Sequence, residues 1–167
     1  MADHDRPHVL MMSEITVDGK LTLRRGASSK ILMKYMAPET EILLHQTRAE
    51  CDAIMVGANT IRIDNSFLTV RLVEGKSPLR VIPTNMADIP PDANILGSDA
   101  RTIIAVSEVA PAEKVARLRE KGVDVVVVGE ERVSLPELMR VLKNRYGVSR
   151  MMIEGGPTLN WSMLNHR

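Results

Sequence analysis

The sequence predicts one α/β domain built on a mostly parallel β-sheet with helices on both faces. Short segments rich in Val, Ile and Met alternate with longer segments of helical periodicity, which is typical of a parallel sheet covered by helices. Several of the short segments are continuously apolar, as strands buried on both faces are. The chain has 167 residues, enough for one hydrophobic core and few for two. The predicted strands are residues 9–15, 53–56, 79–82, 102–106, 123–128 and 150–153.

Proline and capping residues mark where helices between these strands begin. Pro38 and Pro111 are each followed within two residues by a glutamate, as in a first helical turn. Ser134 and Glu137 have the spacing of a capping box. Residues 85–100, the longest irregular segment, are expected on the surface near a strand end. The apolar residues behind the capping box recur at helical spacing and are predicted to face the core: Leu135, Leu138, Met139, Leu142 and Tyr146.

Composition argues against several classes of protein. The 22 basic and 21 acidic residues leave a net charge of +1, and one Trp, two Tyr and one Phe offer few rings for stacking, so we expect no nucleic-acid partner. No apolar run has the length of a membrane span and residues 1–7 are too polar for a signal peptide, which predicts a cytoplasmic protein. The single Cys51 and four scattered histidines predict no disulfide and no metal site. Cys51, beside an apolar run, is expected to be a buried structural thiol.

A strand-to-helix turn near the end of the chain is the most informative segment for function. The apolar run Met151-Met152-Ile153 ends at Glu154, and Gly155-Gly156 then precede Pro157 at the first position of a predicted helix. Two glycines let the backbone approach a ligand closely, and the free N–H groups of a helix N-terminus favour an anion. The turn therefore indicates phosphate binding, although paired glycines also serve simply to turn a strand into a helix.

A second polar tract follows the predicted strand 53–56. Residues 57–71 contain hydroxyls, amides, the carboxylate of Asp64 and the guanidiniums of Arg62 and Arg71. Ligands of open α/β sheets bind beyond the carboxyl ends of the strands, so this tract and the glycine turn are two candidate halves of one site. Neither a G-x-G-x-x-G fingerprint nor a P-loop is present. The alternative is structural: Asp64 caps a turn and Arg71 pairs with a surface acid.

The motifs, taken in order, resemble a known enzyme family. Asp18-Gly19-Lys20, the tract from Arg48 to Arg71, Pro78-Leu79-Arg80-Val81 and the final E-G-G-P-T-L-N-W sequence are similar to those of the pyrimidine reductases of riboflavin biosynthesis. The resemblance covers nearly the whole chain and implies a dihydrofolate-reductase-like fold. The sequence shows neither a deaminase domain nor a zinc-ligand signature, so it looks closest to the stand-alone archaeal enzymes. Those reduce 2,5-diamino-6-(ribosylamino)-4(3H)-pyrimidinone 5′-phosphate, converting ribosylamino to ribitylamino.

The resemblance also implies roles for particular residues. NADPH is the implied cofactor, with NADH possible, and Asp64 is the implied catalytic residue, with Lys20 as the second candidate for the acid. The implied substrate-binding residues are Ser28, Ser29, Arg48, Arg71 and Glu154. The implied cofactor-binding residues are Thr60 and Asp64 at the nicotinamide, the loop residues Asn85, Met86, Ala87 and Asp88, and Gly155, Gly156, Pro157 and Thr158 around the diphosphate. Glu154 has an alternative role as a carboxylate that caps its own turn.

Two features depart from the family pattern. Relatives often carry a basic residue about where Asp88 stands, and an acid there is expected to repel the 2′-phosphate of NADPH. Relatives also continue with further strands that complete the sheet and help to form a dimer, whereas this sequence ends at Arg167. We therefore expect residues 1–167 to be a single reductase domain that lacks its C-terminal strands, and a homodimer for the full-length protein. The alternatives are a reductase of the same fold acting on 5-amino-6-(phosphoribosylamino)uracil or a pteridine, or a catalytically silent nucleotide-binding module.

Overall fold

The computed structural model describes residues 5–24 and 26–165, which fold around one six-stranded sheet. All the strand pairings in this sheet are parallel, and the strand order is β1-β6-β2-β3-β4-β5. The predicted α/β class and parallel sheet are confirmed. The strands are β1 (His8–Met11), β2 (Ala53–Val56), β3 (Leu79–Pro83), β4 (Thr102–Val106), β5 (Asp124–Val127) and β6 (Arg150–Gly155). The helices are α1 (Lys30–Met33), α2 (Pro38–Ala49), α3 (Ala58–Asp64), α4 (Ala112–Glu120), α5 (Leu135–Tyr146) and α6 (Pro157–Asn165), with a 3₁₀ turn at Asn94–Leu96.

Helices cover both faces of the sheet, as predicted. Side chains alternate along each strand, so Met55 packs with the residues of α5 on one face, and Ile54 packs with residues of α3 and α4 on the other. The helix α2 covers the β6 end of this second face, where Leu44 packs with Cys51 and Met152. Full burial of each such side chain stabilises the fold by about 1.5–3 kcal/mol. The burial predicted for Cys51 is confirmed, and burial raises the pKa of its thiol.

The predicted strands agree with the observed ones except at their ends. The segments 53–56 and 102–106 are confirmed, and the 123–128 prediction overruns β5 by one residue at each end. The predicted strand 9–15 is wrong in length, because β1 ends at Met11. The pairing of β1 with β6 ends at Met11 and Ile153. The Met12 N–H donates one more backbone hydrogen bond, to the Ile153 carbonyl at 2.9 Å, before β6 turns toward Gly156. A regular strand ends where it loses its neighbour.

The predicted helix signals are confirmed. Pro38 and Pro157 are the first residues of their helices, and Pro111 immediately precedes α4. The Ser134 hydroxyl accepts a hydrogen bond from the Glu137 N–H at 3.4 Å, and Gly147 ends α5 with φ of 69°. The predicted apolar stripe of α5 faces the core, with Tyr146 half-buried at its edge. No helix within the described residues is long and apolar enough to cross a membrane.

Arg80 anchors the long irregular segment to the sheet. Its side chain is completely buried in β3, and its guanidinium donates to the carbonyls of Gly97 at 2.7 Å and Ala100 and to the Asp99 carboxylate at 3.0 Å. Nε also donates to the Thr102 hydroxyl at 2.8 Å. A buried charge is tolerated when its hydrogen bonds are satisfied in this way. The segment 85–100 is therefore fixed against the sheet at its far end, although it lies largely at the surface as predicted.

Candidate active site

A groove of about 1520 Å³ runs along the carboxyl ends of β1, β2, β3 and β6. A single small-molecule site typically has about 300–1,000 Å³, so this groove has room for two ligands side by side. The predicted residues that line it are Ser29, Arg48, Thr60, Asp64, Arg71, Asn85, Met86, Asp88, Glu154, Gly155, Gly156, Pro157 and Thr158. Ser28, Ala87 and Lys20 do not line it.

The glycine turn forms one wall of the groove. Gly155 has a φ of 103°, in the region that side chains rarely allow, and its carbonyl accepts a 2.8 Å bond from the Gly57 N–H at the start of the β2–α3 connection. A Cβ added to Gly156 would lie 3.3 Å from the hydroxyl oxygen of Thr60. The positive φ favours glycine at position 155, and a side chain at position 156 would require Thr60 to shift slightly. The helix α6 begins directly beyond it, so the unpaired N–H groups of its first turn lie at the groove.

Arg48 and Glu154 form a forked ion pair in the groove, directly before the glycine turn. Arg48 Nε donates to Glu154 Oε1 at 2.6 Å, and a terminal nitrogen donates to Oε2 at 2.7 Å. The second terminal nitrogen donates to the Thr69 carbonyl at 3.1 Å. The two residues lie 106 positions apart in sequence, and the pairing is possible because β6 lies beside β2, which follows α2. Each was predicted to bind substrate, and in the structure the two side chains bind each other.

His45 connects this pair to Arg71. It lies one helical turn before Arg48 on α2, it is 4% exposed, and its Nδ1 accepts the backbone N–H of Arg71 at 2.9 Å. The Arg71 guanidinium donates to the Thr69 hydroxyl at 2.8 Å and lies 5.6 Å from the centre of the Phe67 ring. Burial, together with the charges of Arg48 and Arg71, lowers the pKa of His45 to about 4. The imidazole is therefore neutral at physiological pH.

Asp64 joins the polar tract after β2 to the loop before α1. It is the last residue of α3, one helical turn after Thr60. Its buried carboxylate accepts hydrogen bonds from the hydroxyls of Ser28 and Ser29, the second at 3.1 Å, and its carbonyl accepts from Lys30. Ser28 therefore contacts the Asp64 carboxylate and does not itself line the groove. Lys20, the second acid candidate, is exposed and pairs with Asp18.

Glu14 is a groove residue that the motifs did not single out. It follows the end of β1 by three residues and is half-buried beside the Arg48–Glu154 pair. Burial and the nearby carboxylates of Glu154 and Glu41 raise the pKa of Glu14, and the Arg48 charge only partly offsets this. The rule that directed attention to the ends of β2 and β6 applies equally to β1. The predicted strand 9–15 placed Glu14 inside the strand rather than after it, so the rule missed this residue until the structure showed that β1 ends at Met11.

The loop 85–88 has a different charge environment from the one the sequence suggested. The Asp88 carboxylate forms an ion pair with Lys114 of α4, and its carbonyl accepts a 2.9 Å bond from Arg62 of α3. The acid is therefore neutralised by a cation that lies 26 residues away in sequence. Ala87 has a φ of 55° and its side chain packs in the core, which leaves only its backbone for any cofactor contact. Asn85 holds the loop by accepting the Val133 N–H at 3.0 Å.

The described side chains contain no group of three or more His, Cys, Asp or Glu residues able to hold a metal ion. Two of the four histidines, His4 and His166, lie outside the described residues. The polar groups of the groove are instead those that bind organic phosphates: a helix N-terminus, guanidiniums and hydroxyls.

A parallel sheet with a glycine turn and a two-ligand groove at its carboxyl edge defines an α/β domain of the nucleotide-binding kind. The fold is the dihydrofolate-reductase-like fold of the RibD reductase domains. The chain belongs to the RibD C-terminal domain family, whose sequence profile matches residues 7–167. The family resemblance drawn from the sequence is confirmed.

Named relatives support the same grouping. The chain is 48% identical to the 2,5-diamino-6-ribosylamino-4(3H)-pyrimidinone 5′-phosphate reductase of Aquifex aeolicus, over 98% of this chain and 73% of the relative. It is 43% identical to the enzyme of that name from Methanothermobacter thermautotrophicus, over 95% of this chain and 72% of the relative.

Two solved structures have the same fold. The Thermotoga maritima diaminohydroxyphosphoribosylaminopyrimidine deaminase/5-amino-6-(5-phosphoribosylamino)uracil reductase superposes with a TM-score of 0.73 at 27% identity, over 96% of this chain and 42% of that one. Acinetobacter baumannii RibD gives a TM-score of 0.80 at 22% identity, over 97% of this chain and 43% of that one. The chain thus spans less than half the length of these two proteins.

Proposed function

We propose that this protein is an NADPH-dependent reductase that converts the ribosylamino group of 2,5-diamino-6-ribosylamino-4(3H)-pyrimidinone 5′-phosphate to a ribitylamino group in riboflavin biosynthesis. The single observation that carries the proposal is the groove that joins the glycine turn to a cluster of arginines. One end suits a diphosphate and the other a sugar phosphate. The family and the names of the relatives support the same reaction.

The residues present fit a nicotinamide dinucleotide. The bare backbone at Gly155 and Gly156 and the N-terminus of α6 would hold the diphosphate, since a side chain at Gly156 would meet Thr60. Thr60 and Asp64, one turn apart on α3, would border the nicotinamide. The loop from Asn85 to Asp88 would hold the adenosine ribose. When bound, a reduced nicotinamide supplies the hydride that reduces the C1′ imine of the ring-opened substrate.

The protein residues have separate tasks in this proposal. Glu154, fixed by the Arg48 fork, accepts hydrogen bonds from substrate hydroxyls or amines. Arg71 binds the 5′-phosphate, because it lines the groove and, in the part of the chain that the structure describes, its guanidinium donates one side-chain hydrogen bond, to Thr69. Asp64 stabilises the developing cationic imine or relays a proton to the ring oxygen as the sugar opens. Preorganised charges of this kind act on the transition state without reorganisation.

The preference for NADPH over NADH is part of the proposal. A 2′-phosphate near Asp88 would meet Arg62 and Lys114, and the Asp88 carboxylate would offset part of their charge. We expect a preference of about tenfold or less, which corresponds to about 1.4 kcal/mol. The proposed location is the cytoplasm, where biosynthetic reduced nicotinamide is available. The proposed assembly is a homodimer, supported by the exposed apolar side chains of Trp161 and Leu164 on α6.

The experiment is a reduction assay with the purified protein, with absorbance of the reduced cofactor as the readout. NADPH oxidation should depend on the ribosylaminopyrimidine 5′-phosphate, and mass spectrometry should show a gain of two hydrogens in the product. Turnover of dihydrofolate but not of the ribosylaminopyrimidine would assign a pteridine reductase instead. Cofactor binding without any turnover would identify a silent nucleotide-binding module. Light scattering tests the homodimer, and a monomeric active enzyme would contradict that part.

A further inference from the structure

The substrate phosphate needs donors other than Arg48. The three nitrogens of the Arg48 guanidinium already donate to Glu154 and to the Thr69 carbonyl. Each terminal nitrogen keeps one further N–H, but the Glu154 carboxylate already balances the Arg48 charge, so Arg48 attracts a phosphate less than an arginine without a carboxylate partner does. Within residues 5–24 and 26–165, the side-chain hydrogen bond found for the Arg71 guanidinium is the one to the Thr69 hydroxyl, which leaves its other N–H groups available. A phosphate bound by one arginine still has oxygen atoms that can accept hydrogen bonds from a further donor.

His45 supplies a second donor at the same place. Its Nδ1 accepts the Arg71 backbone N–H at 2.9 Å, so in the neutral ring the proton is on Nε2. No protein hydrogen bond to Nε2 is found in residues 5–24 and 26–165, although the ring is 4% exposed. His45 and Arg71 both line the groove. The hydrogen bond to Nδ1 holds the ring in place and also determines that Nε2 is the nitrogen that carries the proton.

We propose that the Nε2–H of His45, together with the Arg71 guanidinium, binds the 5′-phosphate of the substrate. The inference rests on the proposed function and names a phosphate-binding residue for it. His45 hydrogen-bonds the Arg71 backbone directly, so the donor ring and the Arg71 residue move as one unit. The hydrogen bond between them therefore makes the two donors a preorganised pair.

Burial, together with the charges of Arg48 and Arg71, lowers the pKa of His45 and keeps this donor neutral. Arg48 on its own helix and Arg71 on the following loop face the ring, and the Glu41 carboxylate lies one turn earlier on α2 at the groove. A third cation beside two arginines would be repelled. A neutral N–H adds a hydrogen bond to the phosphate without that repulsion. The site therefore recognises phosphate by donor geometry as well as by charge.

Two substitutions at His45 distinguish phosphate binding by Nε2 from the structural hydrogen bond that Nδ1 accepts. In His45→Asn, the side-chain oxygen stands near the position of Nδ1 and keeps an acceptor for the Arg71 N–H, while the Nε2 donor is lost. In His45→Gln, the amide nitrogen reaches toward the Nε2 position and restores a donor. We expect His45→Asn to raise KM for the phosphorylated substrate about tenfold or more with kcat little changed, and His45→Gln to recover part of the loss. The dephosphorylated substrate should show no change with either variant.

A binding measurement tests the inference without turnover. Ribose 5-phosphate, and ribose as its control, are titrated into ¹⁵N-histidine-labelled protein, and the His45 ring nitrogens are followed by NMR. Ribose 5-phosphate should shift the Nε2 signal in the wild type, and its affinity, measured by titration calorimetry in both proteins, should fall about tenfold in His45→Asn. Equal losses for the phosphorylated and dephosphorylated substrates, or an Nε2 signal unmoved by saturating ribose 5-phosphate, would overturn the inference. Phosphate-dependent shifts in a protein without reductase activity would support this site and reject the proposed reaction.

Discussion

The Arg48 guanidinium donates hydrogen bonds to both carboxylate oxygens of Glu154, at 2.6 and 2.7 Å, where α2 passes the end of β6. Both side chains are largely withdrawn from water, at 8% and 14% exposure. A charge-assisted fork of this geometry is stronger than an ordinary hydrogen bond. It also fixes the distance between the substrate end of the groove and the glycine turn, because Glu154 immediately precedes Gly155.

Removing one partner of this pair should destabilise the fold. Glu154→Gln leaves Arg48 largely buried and without its counter-charge, and we expect the free energy of unfolding to fall by about 3 kcal/mol in urea denaturation. The double variant Arg48→Met/Glu154→Gln should lose less than the sum of the losses in Arg48→Met and Glu154→Gln. Additive losses in this double-mutant cycle would show that the pair contributes no coupling energy.

Asp64→Asn tests the proposed role in catalysis. We expect turnover to fall about a hundredfold or more with cofactor affinity little changed, since acid–base and local electrostatic effects have that size. The matched control is Ser28→Ala/Ser29→Ala, which removes the hydroxyls that Asp64 holds and leaves its charge in place. If the control variant loses as much turnover as Asp64→Asn, the carboxylate acts by holding the loop before α1.

Substitutions around Asp88 should change the cofactor preference in opposite directions. Asp88→Arg removes the partner of Lys114 and adds a cation, so the ratio of kcat/KM for NADPH over NADH should rise. Arg62→Gln should lower that ratio by roughly tenfold, because one guanidinium contact to the 2′-phosphate would be lost. Steady-state kinetics with both cofactors gives the ratios. A strong native preference that neither substitution alters would place the 2′-phosphate elsewhere.

His45 predicts an acid-sensitive stability. Its folded pKa of about 4 is below its ordinary value of 6.5, so its contribution is complete above about pH 6.5 and is lost as the pH falls toward 4. Protonation would place a cation beside Arg48 and Arg71. The free energy of unfolding should fall by at most about 3 kcal/mol more across this range in the wild type than in His45→Asn. Denaturation curves at several pH values measure this difference, and parallel curves would contradict it.

Glu14 should give the opposite pH dependence of stability to that of His45. Its pKa is raised in the folded state, so protonation favours folding, and the stabilisation present below the ordinary value of 4.5 is lost as the pH rises through the folded pKa. Glu14→Gln should therefore melt at a higher temperature than the wild type at pH 7, and the difference should shrink near pH 4. Calorimetry at the two pH values tests this. A variant that melts lower at pH 7 would show that the Glu14 charge is stabilising.

Much of the fold and part of the site could be read from local sequence. Continuous apolar runs located β2 and β4, because strands buried on both faces carry few polar residues. Proline, serine and glycine located the ends of α5 and the start of α6, because capping depends on residues a few positions apart. The glycine turn is visible for the same reason.

Tertiary structure decided which charged groups meet. Glu154 pairs with Arg48, which lies 106 residues away in sequence, and Asp88 pairs with Lys114, which lies 26 residues away. The Asp88 carboxylate, which from the sequence was expected to repel a 2′-phosphate, therefore has its own counter-charge. Burial and the charges of two arginines lower the pKa of His45 to about 4, so its ring stays neutral well below pH 7. The sequence by itself determined the alternation of strands and helices and the turn that approaches a phosphate. The partners and protonation of the groove residues depend on strand order, since β6 enters the sheet between β1 and β2 and brings distant side chains into contact.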